Sequence, residues 1–394
     1  MEGFFMKDFV SVTDFGAVGD GIADDHAAIQ AALSSGAATV YIPTGRYAVS
    51  RTLLVGSDTH IKAEPTAAII LCGERKRRGD FLLSNANPDG MNESITVEGG
   101  IWDGNNRAPE NAKPPITDLL GYSGGVLNFV GVKGLTLRSL TVANSTTYYI
   151  RMSRISDFVI EDIDFVSDFF GHNQDGLHFG GDVRRGRVKN IRALSAGQTN
   201  DDMVALNADD SVERVENLDL VRDDIEDITF ENIYAENCYT VIRILSVTAK
   251  IRNISFKNIY AGYRNYAING DAARYCKMPI FKDEDHPHGV GRVENFHVDG
   301  FTVRPMFTPL PGNEGSQVDP RHAMRLECNL DNFTVRNFRM LPPLGEGHAH
   351  ALYMRGVEDE QIVADGEIFT VSSTRDEILL DNFKNITVNK VKGE

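Results

Sequence analysis

The 394-residue chain predicts an all-β fold: a single-stranded right-handed parallel β-helix, or solenoid, with a short N-terminal capping helix. Three observations carry that expectation. The pattern apolar-x-apolar-x-x-apolar-x-apolar recurs at Leu135-Leu137-Leu140-Val142, Phe158-Ile160-Ile163-Phe165, Ile228-Phe230-Ile233-Ala235, Ile254-Phe256-Ile259-Ala261, Phe296-Val298-Phe301-Val303 and Phe333-Val335-Phe338-Met340, with weaker copies from Ile95, Gly186 and Ile386. Copies begin 23, 28, 26 and 37 residues apart where spacing is most regular, and gaps near 40 leave room for a long loop. No helical period lies between them.

Within each copy the apolar pairs are spaced by two, the period of a strand, and a polar dipeptide separates them, often with Asn, as in Glu231-Asn232, Lys257-Asn258 and Arg336-Asn337. Each copy therefore reads as strand, bend, strand. One such coil cannot bury its own apolar face, but coils stacked at about 4.8 Å pair every backbone group with the coil above and below. A leucine-rich-repeat horseshoe would need shorter, Leu-rich repeats, and these use Ile, Val and Phe at varied lengths.

Residues 1–394 thus form one domain. At its start, Asp24-Asp25 precedes Ala27, Ala28, Ile29, Ala31, Ala32 and Leu33, so a carboxylate is expected to cap a helix over 24–34 that closes the solenoid's open end. Gly36 is expected to end it, and Thr39 to Tyr47 to begin the first coils. The stretches 272–291 and 305–322 concentrate irregular Pro, Gly and charge and read as loop insertions beside a binding face.

Composition narrows the function. With 40 Lys plus Arg against 56 Asp plus Glu the formal charge is −16, and 42% hydrophobic residues with 36 Gly describe a globular chain. An acidic balance argues against nucleic acid, and the short cluster Arg75 to Arg78 reads as a solvated loop. No apolar run reaches the roughly 18 residues of a membrane helix. The first residues lack the basic-then-apolar order of a secretory signal, so a cytoplasmic protein without membrane partners is expected. Cys72, Cys238, Cys276 and Cys328 are too scattered for a zinc site and read as buried thiols in a reducing compartment.

One polar gathering points to chemistry. Asn173-Gln174-Asp175-Gly176 and Asn200-Asp201-Asp202 lie about one coil apart, which brings three acids to neighbouring positions. Crowded carboxylates repel, raising the pKa of one while another stays ionised, and that division suits acid-base cleavage of a glycosidic bond. Stacked turn ladders at coil corners are the structural alternative. Asn207, Asp209 and Asp210 extend the acidic face without forming a convincing set of calcium ligands, so no metal and no cofactor are expected.

Beyond these residues the sequence resembles the pectate-lyase-like β-helix superfamily, and within it polygalacturonase-type glycoside hydrolases (glycoside hydrolase family 28). Asp14 to Gly21 and Asp24-Asp25-x-x-Ala28-Ile29-Gln30-Ala31-Ala32 match the superfamily's N-terminal motif. Gly100 to Asn105, Leu135 to Val142 with Asn144-Ser145, the Asn-x-Asp and the Asp-Asp pair follow the family's order, loosely after about residue 245. The resemblance implies Asp202 as general acid, with Asp175 and Asp201 holding and activating water. In a regular strand adjacent residues face opposite ways, so both Asp201 and Asp202 serve only if the chain bends, and a corner is expected at Thr199-Asn200. Two family motifs depart: no His follows the Asp pair until His286, and Arg-Ile-Lys is half present as Arg243-Ile244-Leu245. The candidate substrate-binding residues are Asn173, His178, Arg243 and Tyr149; Arg243 is expected to point away from the core, and Tyr148 or Tyr149 to stack on a sugar.

The leading expectation is an inverting hydrolase of an oligosaccharide bearing or neighbouring a uronic acid or deoxy sugar, attacking from the chain end, as monomer or homo-oligomer. A polysaccharide lyase on the same fold, using Arg243, Lys277 or His178, and a non-catalytic carbohydrate-binding solenoid are the alternatives.

Overall fold

The computed structural model describes residues 8–72, 81–106, 125–171, 173–209, 220–270, 282–286, 290–310, 318–355, 363–373, 378–381 and 384–391. Strands dominate. Every strand pairing among them is parallel, and each strand pairs with the next coil's equivalent, as in a pectate-lyase-like β-helix.

The repeat read from the sequence is the stacking register itself. Leu137 pairs with Ile160, Ile160 with Val188, Val188 with Phe230, Phe230 with Phe256, Phe256 with Val298 and Val298 with Val335. These side chains are buried and form one continuous apolar column. Rings stack where copies align, with Phe230 and Phe256 at 4.2 Å between centroids and 5° between planes.

The polar dipeptide also has a physical account. Asn190, Asn232, Asn258 and Asn337 all sit at positive φ between 50° and 59°, the left-handed bend that Asn tolerates better than most residues. Their carboxamides chain from coil to coil: Asn190 Nδ2 donates to Asp162 Oδ1 (2.7 Å), Asn232 Nδ2 to Asn190 Oδ1 (2.8 Å) and Asn258 Nδ2 to Asn232 Oδ1 (3.2 Å). Asparagine thus turns the strand and hydrogen-bonds the turn.

Gly186, which opens a weak copy of the repeat, faces the ring of Phe158 so closely that a Cβ there would run into it. Gly186→Ala is expected to cost about 1–3 kcal/mol through overpacking. Urea unfolding should show a lower midpoint at unchanged slope; an unmoved midpoint would mean the ring can step aside.

The N-terminus differs from expectation in three respects. The helix spans His26–Leu33, with Ser34 at its C-terminal cap rather than Gly36. Asp25 occupies the N-cap position but makes no side-chain cap bond there; its carboxylate instead accepts from Val18 N (2.6 Å) and Gly19 N (3.0 Å) of the Gly-rich turn. Asp24 ties His26 N to Ser50 on the next coil. The coils also begin before Thr39, because Phe9–Ser11 already pairs with Thr39–Ile42.

Much of the stretch 272–291 and part of 305–322 lie outside the described residues, as do Arg75 to Arg78, Cys276 and Lys277. Of the described cysteines, Cys238 and Cys328 are buried and Cys72 is exposed. No described helix is long and apolar enough to cross a membrane.

Candidate active site

The chain enters the site through two successive loops. After Val166 it runs to the strand Leu177–Phe179, and after Ala193 to the strand Asp202–Asn207, which pair with one another. Gly176 N donates to Asp202 O at 2.8 Å, so the ladder places Asp175 beside the Asp pair. Gly176 is required at that contact: a Cβ would stand 2.6 Å from Met203 O.

The expected corner is present. Residues 199–201 bend and the strand begins only at Asp202, which frees Asp201 and Asp202 from pointing opposite ways. A carboxylate oxygen from each of Asp175, Asp201 and Asp202 lies within 4.8 Å of the others. Asp175 and Asp202 are buried and Asp201 is half-buried. Three such oxygens can hold a divalent cation as readily as they can split acid from base.

Buried amides fix these loops. Gln174, where the family motif has Thr, donates to Ser145 O and accepts from Gly171 N (2.8 Å). Gln198 donates to Phe169 O (2.9 Å), and Asn200 donates to Gly171 O (2.8 Å). Loop therefore grips loop beneath the acids.

His178 joins the cluster. Its Nδ1 lies 2.6 Å from Asp175 Oδ2, both groups are buried, and its ring packs 4.2 Å from that of Tyr148. Three positions after Asp175 on a straight strand it would have faced away; the bend at Gly176, between the two residues, brings it round. Asn173 itself is half-buried, at φ 55°.

Two sequence expectations need correction. Tyr149 cannot stack on a sugar as it stands: it is 0% exposed, packed 4.9 Å from Phe165, with its hydroxyl donating to Gln198 Oε1 (3.0 Å). Ser145 Oγ donates to Tyr148 O, closing a turn that sends the Tyr149 ring into the core. Arg243 does point away from the apolar column as expected, and its charge reaches Asp201, though it is only 3% exposed and donates to Asn269 O. Asp209, read as part of an acidic face, is fully enclosed and committed to backbone amides.

Reading the sequence missed Arg264 and Tyr239. Arg264, fully buried, donates through Nη2 to Gly197 O (3.0 Å) and Asn200 Oδ1 (2.8 Å) and so braces the bend that presents the Asp pair. Its guanidinium lies 5.8 Å from the Tyr239 ring, which is half-buried beside Asp201 and Asp202. The register of Cys238 with Tyr263 sets these two elements side by side, but neither Arg264 nor Tyr239 occupies a patterned position.

Electrostatics separate the acids. Burial, and next the charge of Asp175, push the Asp201 carboxyl up to about 8, against the opposing pull of Arg243, His178 and Arg264. Burial, and next Asp201 and Asp202, also raise the Tyr239 hydroxyl, so that ring remains neutral. The cluster therefore holds a proton on the Asp201 carboxyl at neutral pH.

Comparison with known proteins follows this geometry. A family model described as "Rhamnogalacturonase A/epimerase, pectate lyase-like" matches residues 9–264. The pre-neck appendage protein of Bacillus phage B103 is 41% identical over 102 residues, 25% of this chain and 12% of that protein. The chain spans about an eighth of the length of the first curated relatives it matches. Among solved structures, the N-terminal fragment of bacteriophage phi29 gene product 12 aligns with a TM-score of 0.62 at 15% identity, over 96% of this chain and 65% of that one. A family 28 exopolygalacturonase of Yersinia enterocolitica aligns with a TM-score of 0.59 at 15% identity, over 98% and 79% respectively. At such identities the likeness concerns the fold.

Proposed function

Because the chain belongs to the rhamnogalacturonase A/epimerase, pectate lyase-like family, we propose that it is an inverting glycoside hydrolase acting on an oligosaccharide that bears or adjoins a uronic acid or deoxy sugar. The observation that carries hydrolysis is the convergence of Asp175, Asp201 and Asp202 within 4.8 Å; inversion rests on the resemblance to family 28. On this reading the coil is right-handed, the sense that crossovers between parallel strands of one sheet take.

The resemblance in sequence implied Asp202 as the proton donor. The raised acidity range of Asp201 favours that residue instead. Asp201 gives its proton to the glycosidic oxygen as the bond to the anomeric carbon breaks. Water attacks that carbon from the opposite face and surrenders a proton to Asp202 or Asp175 as general base. His178 orients Asp175, while Arg243, beside the acids, binds a carboxylate or hydroxyls of the substrate.

Oxygens within 4.8 Å lie nearer the spacing of retaining pairs, about 5–5.5 Å, than the 6.5–9.5 Å of inverting ones, so direct attack by a carboxylate is the competing outcome. The deciding measurement is NMR of the first product from defined uronate oligosaccharides. Inversion at the anomeric carbon is expected; retention would replace water activation with a covalent intermediate. The same oxygen cluster, as a cation site, favours a lyase as second reading, and an unsaturated product without new water-derived ends would establish it.

A further inference from the structure

We propose that the outer surface around Tyr234 and Tyr260 is a second, non-catalytic carbohydrate-binding site for consecutive units of a neutral sugar chain. The two tyrosines are register partners on adjacent coils, at 38% and 46% exposure among the more exposed large rings of the described molecule. Their planes are within 9° of parallel and their centroids 5.9 Å apart. The interior pair Phe230 and Phe256, on the same two coils, closes to 4.2 Å. The outer rings thus form a looser stacked pair than the interior one, still within aromatic contact and still open to solvent.

Beside the rings lies a cavity of about 420 Å³, lined by both tyrosines and by Asn190, Asn232, Asn258 and Arg192. That volume is in the range of small-ligand sites. A carboxamide offers two N–H donors and two acceptor lone pairs. In the ladder of Asn190 and Asn232 each residue gives one donor and one acceptor to its neighbours, which leaves each a second N–H and a second lone pair. Rings for the apolar face of a sugar, with planar amides alongside for its hydroxyls, are the chemistry that recognises a saccharide. The charged lining residues, Asp162 and Arg192, cancel, and Arg192 is already forked onto Asp164 at 2.7 and 2.8 Å. A lining without net positive charge offers no attraction to nucleic acid or polyuronate, which points to a neutral chain.

None of the acid-cluster residues lines this cavity, so the site does not depend on the hydrolytic reading. Asp162, Asn190 and Arg192 of its lining lie on the strand segments from which the chain departs into the loops of the acid cluster.

The test is calorimetric titration of the Asp201→Asn protein, in which turnover is strongly slowed, with cellohexaose, mannohexaose and hexagalacturonate. At least one neutral hexasaccharide is expected to bind with a dissociation constant below about 1 mM. Adding Tyr234→Ala and Tyr260→Ala should weaken that binding at least tenfold without moving the melting temperature, whereas Tyr234→Phe with Tyr260→Phe should keep it within threefold. Absence of binding by both neutral hexasaccharides, or equal binding by the alanine variant, overturns the proposal. So does light scattering that shows an oligomer dissociated by the alanine pair, which would make this face a contact between copies.

Discussion

Asp201→Asn is expected to lower turnover by about 10²–10⁴-fold, the usual worth of a positioned proton donor, and at the same time to raise the melting temperature at alkaline pH. Both effects come from one fact. In the fold the Asp201 carboxyl keeps its proton up to about 8, whereas its ordinary value is 3.8. Between those limits the folded state binds more protons than the unfolded chain, so stability falls as pH rises across that window. Below it the group is protonated in both states and contributes no difference. Asparagine cannot ionise, and the variant's advantage should open above pH 4, widen to about pH 8 and then level. The wild-type kcat/KM should correspondingly decline above about pH 8, as the donor is lost. Thermal melts at pH 5 and pH 8, with turnover on one oligosaccharide, check the pair. Near-normal turnover would remove Asp201 from the chemistry, and a variant less stable at pH 8 would contradict the burial of its charge.

Asp209→Ala is the second large effect, on stability rather than chemistry. The enclosed Asp209 carboxylate accepts from Val247 N (2.5 Å), Thr248 N (3.0 Å) and Ala249 N (3.0 Å), from the Thr248 hydroxyl, and from Arg222 Nε (2.6 Å). Removing it strands three backbone donors and a guanidinium at once. Loss of one partner from a buried charged network costs about 3–5 kcal/mol. Chemical denaturation should register a loss of that size, with Asp209→Asn milder because it keeps one acceptor and the volume. A change under about 1 kcal/mol would mean that water takes over the amides. Since the turn Val247 to Ala249 follows directly on Arg243 to Leu245, the same variant should loosen the site's far wall.

The architecture was legible because a solenoid repeats its instructions. Period-two apolar pairs and an Asn at the bend recur in register, and that register is what the coils hydrogen-bond through. The meeting of Asp175 with Asp201 and Asp202 was legible for the same reason, as one coil length separates them. Side-chain fate inside the loops was not. Tyr149 turned inward because Ser145 closes a turn beside it, and Asp25 spent its oxygens on Val18 and Gly19 instead of the helix. Arg264 acts on the site from a later coil, through Gly197 and Asn200, and no local pattern marks such a residue. Which of two adjacent aspartates holds the proton depends on burial and on charges contributed by several coils, a sum no linear motif contains.

The backbone bond from Gly176 to Asp202 has a broader implication. Because a link of the sheet itself fixes the gap between the reacting acids, that gap is a property of the scaffold's pitch and changes only if the scaffold unzips. Arg243, the side chain proposed to meet the substrate, stands on a strand of the same sheet. One ruler therefore spaces both the reacting groups and part of the recognition, and redesign for a new sugar should leave it untouched.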